Sequence, residues 1–337
     1  MARSILKALE TLEAEVTLAS SLRSRDGAGA PARQTALIAS AEQEMPHLIQ
    51  QGKTEGWQAW ITYHNYYKAP DLLGPAVTKA LGIPYVQIES TRARKRLTGP
   101  WARFAQAAED AADAADAILY FTHHDAEALI RDAPKGQHVL PLAPFLPQAD
   151  LPPLGPREGP MLAVGMMRPG DKVASYQLVA QTLHLLPVGT WQLDIAGDGA
   201  ARDAVAALMA PFGGAVRFLG TKAPEEMSTL YQNASLLFWP GVNEAFGLSY
   251  LEAQAHGLPA VAQDRSGVRD VLAPSGTYPD IDSGPQGLAD MILPLLQDAD
   301  QRRRSGDAAR AYVARTHLLP AAAARLRAAL ATVGVAP

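Results

Sequence analysis

The stretch LLFWPGVNEAFGLSYLEAQAHGLPAVAQDRSGVRDV, Leu236 to Val271, decides the fold class of this 337-residue chain. It opens on an apolar run, Leu236 to Trp239, closed by Pro240 and Gly241, which predicts a buried strand ending in a turn. Leu248 to His256 is rich in Leu, Ala, Glu and Gln and predicts a helix, with Gly257 where a C-terminal cap belongs. Pro259 to Gln263 predicts a second strand, and Ser266-Gly267 a turn. Glu244 falls in the first turn and Glu252, eight positions on, about one turn into the helix. Two carboxylates therefore flank a helix N-terminus at the carboxyl end of a strand, where open α/β sheets bind their ligands.

Outward from this stretch the same alternation continues. MLAVGM (161–166), WQLDIAGD (191–198) and VRFLG (216–220) predict further strands, each followed by a helical segment, and 286–333 reads as helix only. Residues 144–160 hold six prolines and no apolar period, which predicts an interdomain linker. In the first half, helical patterns over 2–14, 35–50, 71–81 and 101–115 alternate with strand patterns over 15–20 (EVTLAS), 59–63, 85–90, 117–122 and 138–142. Such alternation gives parallel sheets covered by helices. The expectation is an α/β protein of two doubly wound, Rossmann-like domains, residues 1–150 and 151–337. A doubly wound domain ordinarily begins with a strand and a Gly-rich turn. This chain begins at a helix, so the N-terminal domain is expected to lack its first strand.

The spacing Glu244-x(7)-Glu252, with Phe246-Gly247-Leu248, Ala253, Ala255, Gly257 and Pro259 around it, resembles the E-x(7)-E signature of the retaining glycosyltransferases of family 4. Ala245 stands where that family commonly has glycine. The resemblance is specific over about residues 161–273 and only architectural before 142. It implies a GT-B arrangement, two such domains facing a cleft, and transfer of a sugar from a nucleotide-sugar donor to an acceptor hydroxyl with retention of configuration.

The resemblance also implies roles. Glu252 matches the glutamate that holds the ribose hydroxyls, a task suited to an ionised carboxylate because it has only acceptor sites; a solvated helix glutamate is the alternative. Glu244 matches the glutamate that faces the donor sugar, and it also suits the positive end of the following helix. Phe246, Gly247 and Leu248 would bring backbone N–H groups to a phosphate or a sugar hydroxyl. Arg168 and Lys172 fall near the family's cationic pair that clamps the diphosphate, with Arg168 displaced by two positions; an ordinary basic loop is the alternative. Gly197-Asp198-Gly199 resembles the family's G-x-G turn and is equally a plain turn signal. Thr221, with Lys222, lies where the nucleotide base is wrapped.

On the acceptor side the family places a His or Asp near the end of the strand matching YVQIES. Glu89 stands there and is the candidate catalytic helper beside Glu244. His64 and Asn65, within the polar aromatic run Tyr63–Lys68, are acceptor-side candidates. His123-His124-Asp125 predicts a helix start, since no third ligand has metal-site spacing. Neither cofactor nor metal is expected, because cations and helix N-termini would replace a metal at the diphosphate.

Composition bounds the partners. Net charge −4 and a pI of about 6.1 give no basic field for nucleic acid. With no cysteine in the chain, disulfides, thiolate metal sites and cysteine nucleophiles are excluded, which suits a reducing compartment. No apolar run approaches the ~18 residues of a membrane span, and the N-terminus has no secretory layout, so a cytoplasmic protein is expected. Arg92, Arg94, Lys95, Arg96 and Arg103, interleaved with Trp101 and Phe104, form the one basic concentration. It suits an anionic lipid surface or an anionic acceptor, so the expected partners are a nucleotide sugar and a glycan or lipid-linked acceptor, with peripheral contact at the inner face of a membrane. A solvated loop explains the same charges. Two rival readings use the same residues: a sugar-nucleotide epimerase, and a non-catalytic nucleotide-sugar binder.

Overall fold

A computed structural model of the chain describes residues 1–336. The chain divides into two compact units, Met1–Ala143 with the chain from Pro320 onward, and Pro144–Leu319.

The first unit holds a four-stranded parallel sheet in sequence order: β1 (Trp60–Tyr63), β2 (Tyr85–Ile88), β3 (Ala117–Tyr120) and β4 (His138–Pro141). Helices α1 (Ala2–Glu10) and α2 (Pro31–Glu55) precede β1, and α3 (Gly74–Leu81), α4 (Ala102–Ala114) and α5 (His123–Arg131) alternate with the strands. β2 is buried along its whole length, as the continuous run YVQI requires of an inner parallel strand. α2 extends well beyond the expected 35–50: Pro31 opens it with a preset φ, and Gly56 closes it in the left-handed region at φ 67°. α5 begins at His123 as expected, because the Thr122 hydroxyl accepts the Asp125 N–H at 3.2 Å.

EVTLAS is not a strand. Residues 15–20 pair with nothing in either sheet, and Leu18 is 79% exposed. An alternating pattern supplies a face but no hydrogen-bonding neighbour, and a strand needs both.

The second unit holds a five-stranded parallel sheet in the order β7-β6-β5-β8-β9. The strands are β5 (Met161–Val164), β6 (Leu193–Ala196), β7 (Val216–Gly220), β8 (Leu237–Phe238) and β9 (Ala260–Val261). Counted within the unit this is 3-2-1-4-5, the doubly wound order, and its switch point lies between β5 and β8. The helices are α6 (Asp171–Leu183), α7 (Arg202–Met209), α8 (Pro224–Asn233), α9 (Leu248–Ala255), α10 (Gly284–Gln297) and α11 (Ala299–Thr316). One core of buried side chains runs through the unit, with Trp239, Tyr176, Tyr231 and Tyr250 its largest members. Burial of this kind contributes about 25 cal/mol per Å² of apolar surface removed from water.

Two expectations about boundaries meet a different structure. The proline-rich stretch 144–160 belongs to the second unit and is packed, with Phe145 and Leu146 buried and the Leu146 N–H bonded to His317 O at 2.8 Å. Proline removes donors and fixes φ, but neither property prevents the remaining backbone from docking. The last helix, α12 (Leu319–Thr332), counts with the first unit apart from its first residue, although the sequence reading carries it in the second domain. Thr332 and Val333 line a hollow with Gly82, Ile83, Asp116 and His138. Helical periodicity reveals a buried face, not the sheet that covers it.

Candidate functional site

The switch point of the second unit gathers the residues at the carboxyl ends of β5 and β8. Trp239 follows β8 directly, and its Nε1–H donates to Glu244 Oε1 at 2.9 Å. Lys172, in the first turn of α6, forms an ion pair with the same oxygen and stands 5.5 Å from the Trp239 ring centre. Their side chains are 19% and 14% exposed for Lys172 and Glu244, so the pair is largely screened from water yet open on one side. Tyr176 packs edge-on against Trp239 at 5.0 Å, and its hydroxyl donates to Gly165 O at 2.7 Å.

The loop carrying Glu244 is fastened to the start of α6. Ser175 Oγ accepts the Val242 N–H at 3.0 Å, and Asn243 Nδ2 donates to Asp171 Oδ2 at 2.7 Å. Behind it, Gly267 sits at φ 80°, where an added Cβ would fall 1.9 Å from Ala245 O. That position admits only glycine on both counts. Gly247, at φ 74°, precedes α9, so Leu248 and Ser249 open the helix with N–H groups that have no intrahelical acceptor, before the Tyr250 N–H bonds Gly247 O at 3.2 Å. Such a terminus attracts anions and hydroxyl oxygens.

The G-x-G turn has a packing reason. A Cβ on Gly197 would lie 2.0 Å from Gly165 O, and one on Gly199 would lie 2.4 Å from Met167 O. The Met167 N–H donates to Asp198 O at 2.9 Å, which joins the β5 and β6 loops. Met167 is buried, and this turns the displaced Arg168 outward: it is exposed and makes no ion pair among the described residues. Thr221 is exposed just past β7.

Glu252 does not share partners with Glu244. Its Oε2 accepts the Tyr231 hydroxyl of α8 at 2.8 Å, and Tyr231 stacks on His256 at 5.2 Å. His256 bridges further, Nδ1 to Glu252 O at 2.7 Å and Nε2 to Ser228 Oγ at 2.9 Å. Burial raises the Glu252 carboxyl above the ordinary glutamate range, against a lowering by the Tyr231 hydrogen bond. The Tyr231 hydroxyl is pushed well up by burial and by the adjacent carboxylate. One oxygen of Glu252 is thus held from inside, while the other makes no hydrogen bond among the described residues.

In the first unit, His64 and Glu89 end the neighbouring strands β1 and β2. Both occupy the left-handed region, at φ 72° and 58°. For residues other than glycine this is uncommon, and such strain gathers at functional sites. His64 Nδ1 lies 3.4 Å from Glu89 Oε2, and neither atom has another hydrogen-bond partner. Burial and the Glu89 carboxylate push the Tyr63 hydroxyl up. Asn65 has a different place: it is fully buried, its Nδ2 donating to Ala108 O at 3.0 Å and Gln87 Oε1 at 3.3 Å, its Oδ1 accepting the Asp71 N–H at 2.9 Å. Its amide is engaged inside the protein and holds the β1 loop to α4.

The basic stretch is neutralised in part, at Arg92 and Arg94. Arg92 pairs with Glu109 at 2.8 Å and Asp113 at 2.6 Å, Arg94 with Asp132 at 3.2 Å, and Arg103 donates to Thr35 Oγ1 at 2.9 Å. Phe104 is core. Trp239 and Tyr231 carry no sequence signal of a role, since buried aromatics in strands and helices are ordinarily core. Among the described residues no cluster of three or more His, Asp or Glu could hold a metal ion, and no helix is long and apolar enough to cross a membrane.

Known proteins share this fold. The two-unit architecture superposes on that of an Anabaena protein, Alr3699/HepE, in complex with UDP, with a TM-score of 0.67 at 15% identity over 88% of this chain and 82% of that one. It also superposes on the lipopolysaccharide outer core galactosyltransferase WaaB, with a TM-score of 0.63 at 17% identity over 88% and 81% of the two chains. At such identities the likeness shows the fold alone, which is the GT-B fold. In sequence, the chain is 41% identical over 102 residues to a D-inositol 3-phosphate glycosyltransferase of Corynebacterium urealyticum, covering 30% of this chain and 24% of the relative. It is 35% identical over 122 residues to the protein of that name from Nocardia farcinica, covering 35% and 27%. The chain therefore spans about a quarter of the length of the curated relatives it matches. Residues 166–312 match the family model of glycosyl transferases group 1, and this segment carries both glutamates and Lys172.

Proposed function

We propose that the protein transfers a sugar from a nucleotide sugar to an acceptor hydroxyl, retaining the configuration at the anomeric carbon and using no metal. The observation that carries this reading is the glutamate–lysine pair at the β5/β8 switch point, beside a helix start opened by Gly247. Solved neighbours hold UDP, or UDP-glucose, in this fold. Uridine diphosphate sugars are accordingly the donors to test first.

In this reading Glu252 accepts the ribose hydroxyls through the oxygen that Tyr231 leaves free, and Thr221 lies beside the base. Lys172 and the outward Arg168 stabilise the charge that develops on the departing diphosphate, together with the N–H groups from Phe246 to Leu248. Glu244 faces the donor sugar. The bond from the anomeric carbon to the diphosphate oxygen breaks with its electron pair going to the diphosphate, and the acceptor oxygen forms the new bond. Glu89, with His64 at its side, takes the acceptor's proton. The acceptor is a glycan or a lipid-linked alcohol, and the compartment is the cytoplasm, which suits a chain without cysteine.

The test is thermal melting with UDP-sugars followed by product analysis with acceptor alcohols. A donor should raise the melting temperature, and a new glycoside should appear only when acceptor is present. Glu252→Ala should abolish the shift. A shift without any product indicates a binder, and an altered free sugar nucleotide without acceptor indicates an epimerase. No shift with any nucleotide sugar refutes the reading.

A further inference from the structure

Two cations of the first unit lack acidic partners and converge on one pair of rings. Tyr67 and Trp101 meet edge to face at 5.8 Å. Lys68 Nζ stands 5.5 Å from the Tyr67 ring centre and 5.3 Å from that of Trp101. The Arg96 guanidinium stands 5.1 Å and 5.8 Å from the same two centres. Neither cation makes an ion pair among the described residues, in contrast to Arg92 and Arg94 of the same stretch. Arg96 Nε is also shielded from solvent without an acceptor. A ring face attracts a cation but carries no net charge, so the charge stays uncompensated.

Asp26, whose backbone bonds both Lys68 and Trp101, has its carboxylate engaged elsewhere. Asp26 gives its carboxylate to the N–H groups of Ala28, Gly29 and Ala30 and to Gln34 Nε2. Only its backbone serves the cluster, the carbonyl accepting from Trp101 Nε1 at 3.0 Å and the N–H donating to Lys68 O at 2.8 Å. This turn also fixes the floor, since a Cβ on Gly29 would lie 2.7 Å from Pro100 and 3.2 Å from the Trp101 ring. The cations are therefore held together by a rigid frame rather than by opposite charge. Ring contacts run on from Tyr67 to Tyr66 at 5.9 Å and from Tyr66 to His64 at 4.6 Å, so the cluster continues into the His64–Glu89 pair.

We infer that Lys68 and Arg96, framed by Tyr67 and Trp101, form a binding site for a phosphate group. A planar guanidinium fork and a compact ammonium against the same two rings suit phosphate oxygens, and an anion there relieves two uncompensated like charges. Taken with the transferase reading, on which this extension rests, the acceptor carries a phosphate a few ring widths from its reacting hydroxyl. The phosphate belongs either to a soluble ester or to a lipid headgroup.

The experiment titrates inorganic phosphate into the full chain, with no nucleotide sugar present, by calorimetry and by tryptophan fluorescence. Saturable binding is expected, weakened tenfold or more in K68Q/R96Q and measurably in each single variant, and unchanged in R94Q, whose arginine is paired. Matching melting temperatures of the variants exclude misfolding as the cause. Cosedimentation with phosphatidylglycerol vesicles but not phosphatidylcholine vesicles, lost in K68Q/R96Q and competed by phosphate, assigns the headgroup source. Phosphate binding without cosedimentation assigns the soluble ester. No saturable binding, or equal binding by K68Q/R96Q, overturns the site. Because no sugar transfer is measured, that result is distinct from failure of the transferase reading.

Discussion

Lys172 and Glu244 should be coupled before any donor arrives. Lys172→Met keeps most of the stem but removes the charge, leaving a carboxylate with 14% exposure and one neutral donor, the Trp239 indole. Exposed ion pairs contribute roughly 0.2–1 kcal/mol, whereas breaking a buried pair costs roughly 3–5 kcal/mol. At the exposures seen here the loss lies between, about 2 kcal/mol for Lys172→Met and somewhat less for Glu244→Gln, which keeps an acceptor for Trp239. For a unit of this size that is a melting-temperature drop of about 4–8 °C for the lysine variant. The double variant should melt no lower than Lys172→Met alone, because each single change has already removed the shared interaction. Differential scanning calorimetry of the three variants, at low salt and near 1 M salt, measures this. Little salt dependence is expected of a pair shielded from counter-ions. Strictly additive drops, or single variants that melt within 1 °C of the parent, would refute the coupling and with it the view that the site is electrostatically preset.

Two further outcomes follow from the same geometry. Tyr231→Phe removes the hydrogen bond that favours ionised Glu252, so donor affinity should fail at a higher pH on the acid side than in the parent. The sign is fixed: the Glu252 carboxyl already lies above the ordinary range, the ionised form is the one that accepts ribose hydroxyls, and loss of a donor raises it further. An unmoved acid limb in a titration of donor affinity would count against Glu252 as the ribose acceptor. Gly267→Ala combines a left-handed φ with a backbone clash at Ala245 O, so it should cost about 2 kcal/mol or more and displace Glu244. Melting and donor affinity should fall together, and a variant that melts normally would show that the loop yields.

By itself the sequence determined the α/β class and the strands of both sheets, and it pointed to the candidate site around Glu244 and Glu252. Those features are written locally: apolar runs of strand length, a glycine closing helices such as α2, α3 and α9, two acids at a fixed interval. Tertiary structure decided the rest. EVTLAS has strand composition and no neighbour to bond. Asn65 and His64 are adjacent in sequence, yet one is closed into the core and the other strained outward against Glu89. Lys172 matches a phosphate clamp by position, but what it meets is Glu244, brought from more than seventy residues away. Of the five basic residues between 92 and 103, Arg92 and Arg94 are neutralised by acids in α4 and just past α5, while Arg103 meets a hydroxyl in α2. Local patterns fix backbone conformation because their causes lie within a few residues. The partner of a charge or a strand edge is set by the packing of elements far apart in the chain, and only the folded molecule contains that information.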